Sequence, residues 1–428
     1  MSVFEPLKKE ICLPAIAKKF IGHDIFKKKS FWWVAVLLIF VFFCLYNFPY
    51  IYGKKTDDSS FYIASRGILS GTNIYNENEF YSLGDELFGK SVEFWPYLYS
   101  PILAELLVPL ASKSYGTFTI VWFILNMILG FACPLLTIYA VKGQRKTNRL
   151  LQIFLLFLCV FSYPFRNTLI IGQVNFFVYF MIVLSIFFYE NKKSFWSAFF
   201  LSTATLIKTF PIIYLLYFFV IKDFKYIKQF ILSGITIMVS SVLLFGSEIW
   251  AKYFSFALNN VVNPAPNTPI NLYYLGYQNN FSPRNMLVQI FDSVNLPISN
   301  IKIIFPIMVL AVLAISFHTL FKAEHNTSFS FSLLSLTYLM ISPICWRHHY
   351  ILIAMPLIYI LSTDRGDKLL VDIVILLASL IIFYYPLWTG FPFNTIIFIS
   401  AITAYLVLLF IKDKSYDSRE HSALVGGI

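Results

Sequence analysis

Long apolar runs separated by short polar segments dominate this chain. The first two runs cover residues 31–50 and 117–141. A helix needs about 20 residues to cross a hydrocarbon core of roughly 30 Å, so runs of this length predict membrane-spanning helices. Further runs of this kind lie near 150–165, 174–189, 229–246, 301–321, 328–342, 350–362, 369–387 and 391–411. The pattern predicts an all-α polytopic membrane protein.

Two other apolar runs do not fit a single crossing. The run 101–111 is too short to cross, so we expect a re-entrant or interfacial helix there. The run 195–221 contains Pro211, which would break a continuous helix, so either one span or two short helices can form. Two crossings, or a re-entrant hairpin, keep the lysines of the following segments on one side of the membrane. We expect the pair, which gives about twelve membrane helices, within a range of roughly ten to thirteen.

Basic residues assign the two sides of the membrane. Lys and Arg gather in cytoplasmic loops, and seven lysines precede the first run, so 1–30 is expected to be a cytoplasmic tail. The number of crossings, together with Lys412 and Lys414, places 412–428 on the same side. The first run has no small-residue cleavage site and is expected to remain as a signal anchor. Residues 31–411 are then one transmembrane domain with a long first outer segment. The expected outer segments are 51–116, 166–173, 247–300, 343–349 and 388–390.

Composition agrees with this interpretation and excludes a soluble protein. Hydrophobic residues make up 58% of the 428 residues and charged residues only 13%, where a soluble domain carries about 25% charge. The net charge of +11 is explained by basic loops, so membrane lipids are the expected surroundings and no nucleic-acid partner is expected. The five cysteines have no ligand spacing, and no nucleotide-binding motif is present, so we expect no metal and no cofactor.

Two adjacent acids, Asp57 and Asp58, follow the first run closely. They are expected near the outer interface, where a carboxylate can reach both a lipid head group and an aqueous acceptor. An acid held near hydrocarbon tends toward a raised pKa, which suits a general base. The alternative is a pair of solvated loop acids.

A second group of polar residues lies in the outer segment SPICWRHHY, residues 342–350. Arg347 can bind a phosphate through two hydrogen bonds, and His348 and His349 can donate to it or protonate it. Alternatively, these side chains extend to the head-group level of the membrane. A zinc site is less favoured because adjacent histidines rarely bind one ion.

Several single polar residues complete the candidates. Lys208 is the only cation in the run 195–221, and an ionisable residue within the membrane is a functional hypothesis by default. It can neutralise a lipid phosphate, or it can pair with helix carbonyls or an acid. Gln173 and Asn175 can bind sugar hydroxyls or cap a helix. Arg284, like Arg166, flanks an apolar helix on the outer side and indicates either a sugar or phosphate subsite or a plain surface loop.

The segment TDDSSFYIASRGILSGTNIY, residues 56–75, resembles the first outer loop of glycosyltransferase family 87. Aligning Phe61, Tyr62 and Ala64 with that family's pattern selects Asp57 as the family acid, and Asp58 stands where the family usually has an aromatic residue. Similar blocks follow in family order across roughly residues 50–360, namely YLYSPILAELLVPLA, IGQVN, ATLIKTFP, NNFSPRNML and SPICWRHHY.

The resemblance implies a GT-C-type fold and an inverting transferase in the cytoplasmic membrane. Such an enzyme moves a hexose, with mannose as the expected sugar, from a polyprenyl phosphate to a glycolipid or glycan acceptor on the extracytoplasmic side. The resemblance implies Asp57 as the general base, with Asp58 second. The implied donor-phosphate ligands are His348, His349, Arg347 and Lys208, and the implied substrate contacts are Gln173, Asn175, Arg284 and Tyr62.

Two other functions compete with this interpretation. A lipid or sugar transporter or flippase would use Lys208 and the broken helix pair as its substrate path, but the sequence does not divide into two matching halves. A related membrane polymerase, or a ligase that uses a diphosphate-linked donor, would share the broad fold.

Overall fold

The structure is a computed structural model that describes residues 29–52, 56–89, 94–140, 149–259, 280–323, 326–362 and 393–410. Within these ranges all regular secondary structure is helical, which confirms the predicted fold class at that level. The α-helices are α1 Lys29–Asn47, α2 Thr56–Ser70, α3 Glu77–Phe88, α4 Pro101–Ala111, α5 Tyr115–Ala140, α6 Arg149–Val160, α7 Tyr163–Ile171, α8 Asn175–Glu190, α9 Ser194–Ile207, α10 Leu215–Val220, α11 Phe224–Phe245, α12 Glu248–Ala257, α13 Pro283–Ser293, α14 Ile301–Lys322, α15 Thr327–Ile341, α16 Ala354–Ser362 and α17 Phe393–Phe410. Short 3-10 helices lie at Phe48–Tyr52, Phe210–Tyr214, Ile298–Asn300 and Arg347–Ile353.

In the described part of the chain, four helical segments are long and apolar enough to cross a bilayer alone, and they coincide with predicted runs. They are Ser30–Ile51, Tyr115–Ala140, Phe224–Phe245 and Ile298–Lys322. A fifth crossing results if α6 and α7, which meet at a bend of 44°, form one span. The protein is therefore a membrane protein with several spans.

Other predicted runs form helices that are shorter than a membrane span. Helices α8, α9 and α15 have 16, 14 and 15 residues, where about 20 are needed to cross the full hydrocarbon core. The total of about twelve membrane helices thus stays a prediction. The expected span 369–387 and the outer segment 388–390 lie outside the described residues, as do the C-terminal tail and nearly all of the N-terminal tail.

The expected break in the run 195–221 is confirmed. Helix α9 ends at Ile207, Lys208 has extended backbone angles, and a 3-10 helix with Pro211 in its first turn begins at Phe210. The choice between two spans and a re-entrant hairpin stays open. A second break lies between α6 and α7, and it replaces part of the expected loop 166–173 by helix. Pro164 lies in the first turn of α7, where its missing N–H costs nothing.

The segment 51–116, which is expected on the outer side, is largely helical over its described residues. Helix α2 packs against α3, α4, α5 and α7, and the short apolar α4 forms as expected. Arg166 of α7 donates hydrogen bonds to the hydroxyls of Tyr46 and Tyr50, and its guanidinium lies over both rings. Helix α7 also packs against the 3-10 helix Arg347–Ile353. These contacts place the start of α2, the end of α7 and the SPICWRHHY segment side by side.

Candidate active site

The two adjacent acids at the start of α2 have different surroundings. Successive side chains on a helix point about 100° apart, and here the difference separates the two carboxylates. Asp58 is fully buried, and its Oδ1 accepts a hydrogen bond of 3.1 Å from the Tyr115 hydroxyl. Asp57 is half-buried, and its Oδ2 accepts a hydrogen bond of 3.0 Å from Gln173 Nε2. Asp57 therefore belongs to the Gln173 network, and Asp58 packs behind it.

Gln173 holds the centre of this network with its amide in a defined orientation. Its Oε1 accepts from the Tyr99 hydroxyl and from the Val174 N–H, both at 2.8 Å. The Val174 N–H can only donate, so the amide oxygen must face it and Nε2 must face Asp57. Nε2 also lies 3.5 Å from His348 Nε2. Since an amide nitrogen cannot accept, that imidazole nitrogen is the acceptor, and the proton of a neutral His348 is on Nδ1.

Gly172 ends helix α7 and determines the backbone conformation just before Gln173. Gly172 ends α7 with φ 71° and ψ 31°. The Gln173 N–H donates to Thr168 O at 2.9 Å and the Gly172 N–H donates to Leu169 O at 3.2 Å, which together form a Schellman motif. A Cβ on Gly172 would lie 2.8 Å from the Cβ of Asp58. Position 172 therefore needs glycine both for its left-handed conformation and for the close approach of α2.

Gly172→Ala is expected to destabilise the protein. The left-handed conformation costs an L-residue about 1–2 kcal/mol, and the new methyl group would also displace the backbone of α2 at Asp58. We expect a thermal midpoint several degrees lower in detergent, together with reduced activity. Gly116→Ala is the matched control, because Gly116 has open space around its Cα and lies in the first turn of α5. Equal midpoints for both variants would contradict this account.

Lys208 lies in the break after α9 and points into the same network. Its Nζ donates to Asn175 Oδ1 at 2.6 Å and lies 3.1 Å from His349 Nε2. The ammonium group is also 5.6 Å from the centre of the Tyr99 ring, a cation–π distance. Asn175 in turn donates to His348 O at 3.0 Å. The candidate lysine, amide and imidazoles thus form one connected group with Gln173 and Asp57.

The proton position of His349 follows from its backbone contact. The Trp346 N–H donates to His349 Nδ1 at 3.1 Å, so a neutral ring carries its proton on Nε2. This N–H and the Lys208 ammonium, 3.1 Å away, are then two donors that converge with no acceptor between them. Burial lowers the pKa of both His348 and His349 well below the ordinary value, and the charge of Lys208 lowers it further. Both rings are therefore neutral at pH 7 and act as hydrogen-bonding groups. An anionic oxygen beside Lys208 and His349 Nε2–H can accept from both.

The surroundings of Asp57 change the pKa of its carboxyl group. Burial raises the pKa of Asp57 to about 7, in spite of the opposing charge of Lys208 and the hydrogen bond from Gln173, and the charge of Asp58 raises it further. A carboxylate with such a pKa is suited to removing a proton at neutral pH.

The remaining predicted residues lie at the edge of this group or outside it. Arg347 donates to the Tyr163 hydroxyl at 2.8 Å, and its guanidinium lies over the rings of Tyr163 and Phe281 at 5.2 and 5.1 Å. Arg284 is half-buried, and burial lowers its pKa. The Phe281 N–H donates to Cys345 O at 2.7 Å, which keeps the chain before Arg284 beside the SPICWRHHY segment.

Tyr62 has a packing environment in the structure. Its side chain is only 6% exposed, it lies among the rings of Phe88, Tyr115 and Phe118, and its hydroxyl donates to Lys113 O at 3.1 Å. A role in substrate binding stays a prediction. Among the described residues, no three His, Cys, Asp or Glu side chains are close enough to hold a metal ion.

Sequence reasoning missed the tyrosines that support the site. Tyr99 contacts both Gln173 and Lys208, Tyr163 supports Arg347, and Tyr115 contacts Asp58. Tyr99 lies in the YLYSPILAELLVPLA block, so its neighbourhood was recognised while its own role was not. The signal available was a hydroxyl-bearing ring just before the apolar run 101–111, and in a chain with 27 Tyr that signal is weak.

The fold and the site together define a class: an all-helical membrane protein with a buried site that joins a carboxylate to amides, imidazoles and a lysine. The model of glycosyltransferase family 87 matches residues 97–343, more than half of the chain. The chain therefore belongs to glycosyltransferase family 87. No curated protein matches it. The matched region contains Gln173, Asn175, Lys208 and Arg284, and the fold brings Asp57 and the two histidines to it from either side.

Proposed function

We propose that this membrane glycosyltransferase transfers a hexose, with mannose as the expected sugar, from a polyprenyl-phosphate donor to a glycolipid or glycan acceptor. One observation carries the proposal: Asp57 and Lys208 belong to one buried network, connected through Gln173, His348 and Asn175. A base and a lysine in one site can supply proton removal from the acceptor and binding of the leaving phosphate.

Each group has a role in an inverting displacement. The acceptor hydroxyl oxygen attacks the anomeric carbon of the donor sugar while its proton passes to Asp57. The bond between the anomeric carbon and the phosphate oxygen breaks, and its electron pair leaves with the polyprenyl phosphate. Lys208 and the His349 Nε2–H bind the phosphate oxygens as their charge grows, and Arg347 binds them from the outer edge. The general base contributes about 10²- to 10⁴-fold, and this set of donors requires neither metal nor cofactor.

The proposed topology places this chemistry outside the cytoplasmic membrane. The tails 1–30 and 412–428 are cytoplasmic in this proposal, and 31–411 is a single catalytic domain of GT-C type. Support comes from the basic residues of both tails and from the outer segment 51–116, whose helices carry Asp57. The donor's isoprenoid chain then remains in the membrane while its phosphate reaches Lys208.

A transfer assay tests the proposal. Purified protein in lipid vesicles is given a radiolabelled polyprenyl-phosphate mannose, with the glucose and galactose donors as parallel arms, and membrane glycolipids as acceptors. Label that moves to the glycolipid fraction in the intact protein, and not in Asp57→Asn, supports the transferase. Label that crosses the bilayer still attached to its donor would instead indicate a flippase, and label that remains on every donor would contradict the proposal.

Activity is expected to depend on pH with an acidic limb. The pKa of Asp57 in the folded protein is raised to about 7, and only the ionised carboxylate can accept a proton. The value of kcat/KM should therefore rise with pH up to about 7, as Asp57 ionises. The measurement is initial transfer rate at low donor concentration between pH 5 and pH 9. A limb near the ordinary carboxyl pKa, of about 4, would count against Asp57 as the base.

A further inference from the structure

We infer that Gln173 is a positioning residue that holds Asp57 in the orientation and the ionised form needed to accept a proton, and that it does not bind the sugar. The inference rests on the proposed base role of Asp57 and deepens it. It also changes the interpretation of Gln173, which its sequence context assigned to sugar binding or helix capping.

The hydrogen-bonding capacity of Gln173 is already used by the protein. Its oxygen accepts from Tyr99 and Val174, one N–H donates to Asp57, and the other points toward His348 Nε2 at 3.5 Å. An amide has two acceptor sites and two donors, so both acceptor sites and one donor are used by the protein, and the second donor faces His348. The side chain is also only 3% exposed. A substrate contact would require breaking one of these bonds.

The orientation of the amide cannot reverse without loss. A flipped amide would direct NH₂ at the Val174 N–H, leaving two donors facing each other in a buried site. The backbone on the other side is fixed as well, because the Gln173 N–H completes the Schellman motif at the end of α7. Asp57 Oδ2 therefore always meets a donor, and a hydrogen bond to the charged form of a carboxyl favours ionisation.

The charged groups around Asp57 make this hydrogen bond consequential. Among the described residues, two charged groups shift the pKa of Asp57. Asp58, on the same helix, raises it, and Lys208, in the break after α9, lowers it. The other titratable or charged groups on α2 and on the helices packed against it are Tyr62, Arg66, Glu77, Glu79, Tyr81, Asp85, Glu86, Glu105, Tyr115, Cys133, Tyr139, Tyr163 and Arg166. His348 lies on the other side of Gln173. With burial and Asp58 both opposing ionisation, Gln173 and Lys208 are the groups that favour it.

Chemical labelling of the substrate-free protein tests the inference independently of activity. A hydrophobic carbodiimide reacts with a protonated carboxyl group, and tandem mass spectrometry assigns the adduct to Asp57 as distinct from Asp58. In Gln173→Met the pH midpoint of labelling at Asp57 should rise by about one unit. Gln229→Met is the matched control, since Gln229 is a partly buried amide on α11 that accepts a hydrogen bond from Ser194. An unchanged midpoint in Gln173→Met would overturn the inference.

A second variant covers the case in which Gln173→Met fails to fold. Tyr99→Phe keeps the ring beside Lys208 and removes the hydroxyl that donates to Gln173 Oε1. It should raise the labelling midpoint in the same direction by a smaller amount. A midpoint equal to that of the intact protein in Tyr99→Phe, with Gln173→Met unfolded, would also refute the positioning role.

Kinetics separate positioning from substrate contact. For Gln173→Met, the acidic limb of kcat/KM should move up with the labelling midpoint, while KM for donor and acceptor stays within about twofold. A raised KM with an unmoved limb would instead make Gln173 a sugar contact. If Asp57→Asn keeps full activity, the proposed base role fails, yet the labelling midpoint still reports whether Gln173 controls Asp57.

Discussion

Replacement of Asp57 by asparagine is expected to lower the rate of sugar transfer by about 10²- to 10⁴-fold. Asparagine keeps the shape of the side chain and can accept from Gln173 Nε2, but it cannot take a proton. The thermal midpoint should stay close to that of the intact protein, because asparagine is uncharged and its amide carries no cost of burying a charge. Transfer rate at saturating donor, with the midpoint measured on the same preparation, gives both quantities.

Asp58→Asn is the paired control for this prediction. Asp58 is fully buried and accepts a hydrogen bond from the Tyr115 hydroxyl, so its replacement should reduce stability more than it reduces transfer. Removing its charge also removes one of the influences that raise the pKa of Asp57, so the acidic limb of the pH profile should move down. Loss of transfer in Asp58→Asn with activity retained in Asp57→Asn would assign the base to Asp58.

Lys208→Met should cost about 10²- to 10³-fold in kcat, the range for removing one donor that stabilises developing negative charge. Methionine preserves the length and the apolar stem of lysine but leaves the phosphate with one cation fewer. Some loss of stability is expected as well, because Asn175 Oδ1 loses its donor and Asp57 loses the opposite charge that favours its ionised form. Kinetic measurement at saturating donor, together with a thermal midpoint, therefore separates this loss from misfolding.

Lys193→Met is the matched control for Lys208→Met. Lys193 is exposed, and its ammonium lies 5.9 Å from the ring of Phe188. The Lys193→Met variant should have the same kcat as the intact protein. If Lys208→Met raises KM for the donor and leaves kcat unchanged, Lys208 binds the donor equally in the ground state and the transition state, and the proposed stabilisation of the leaving group is wrong.

Most helix positions could be predicted from hydropathy, and the errors have physical causes. The run 117–141 became α5 with nearly the predicted bounds. The run 229–246 became the longer α11, because Lys225 and Lys228 lower the apolar character of its first turns without preventing helix formation. The break between α6 and α7 was missed because the polar residues Arg166, Asn167 and Thr168 predicted an outer loop, whereas they belong to helix α7. Packing decides such breaks, and packing is not visible in a single apolar run.

The candidate residues were proposed one by one from the sequence, and the contacts between them were not predicted. Lys208, Asn175, Gln173 and His349 were each singled out, and the structure brings them into contact. The separation of Asp57 from Asp58 depends on the direction of α2 relative to Gly172 and Tyr115, which is a property of tertiary packing. For the same reason Tyr99 could not be identified in advance, since its function lies in contacts with residues far away in the chain.

The polar groups of the site come from places where helices begin, end or break: the first turn of α2, the junction of α7 and α8, the gap after α9 and the turn before α16. Backbone groups at such places lack partners within their own helix and can serve as ligands and anchors for side chains. The long middles of α1, α5, α11 and α14 contribute none of the groups of the network. Substitutions at a few helix ends and breaks can therefore alter the polar groups of the site. The long helices that hold these ends in place need not change.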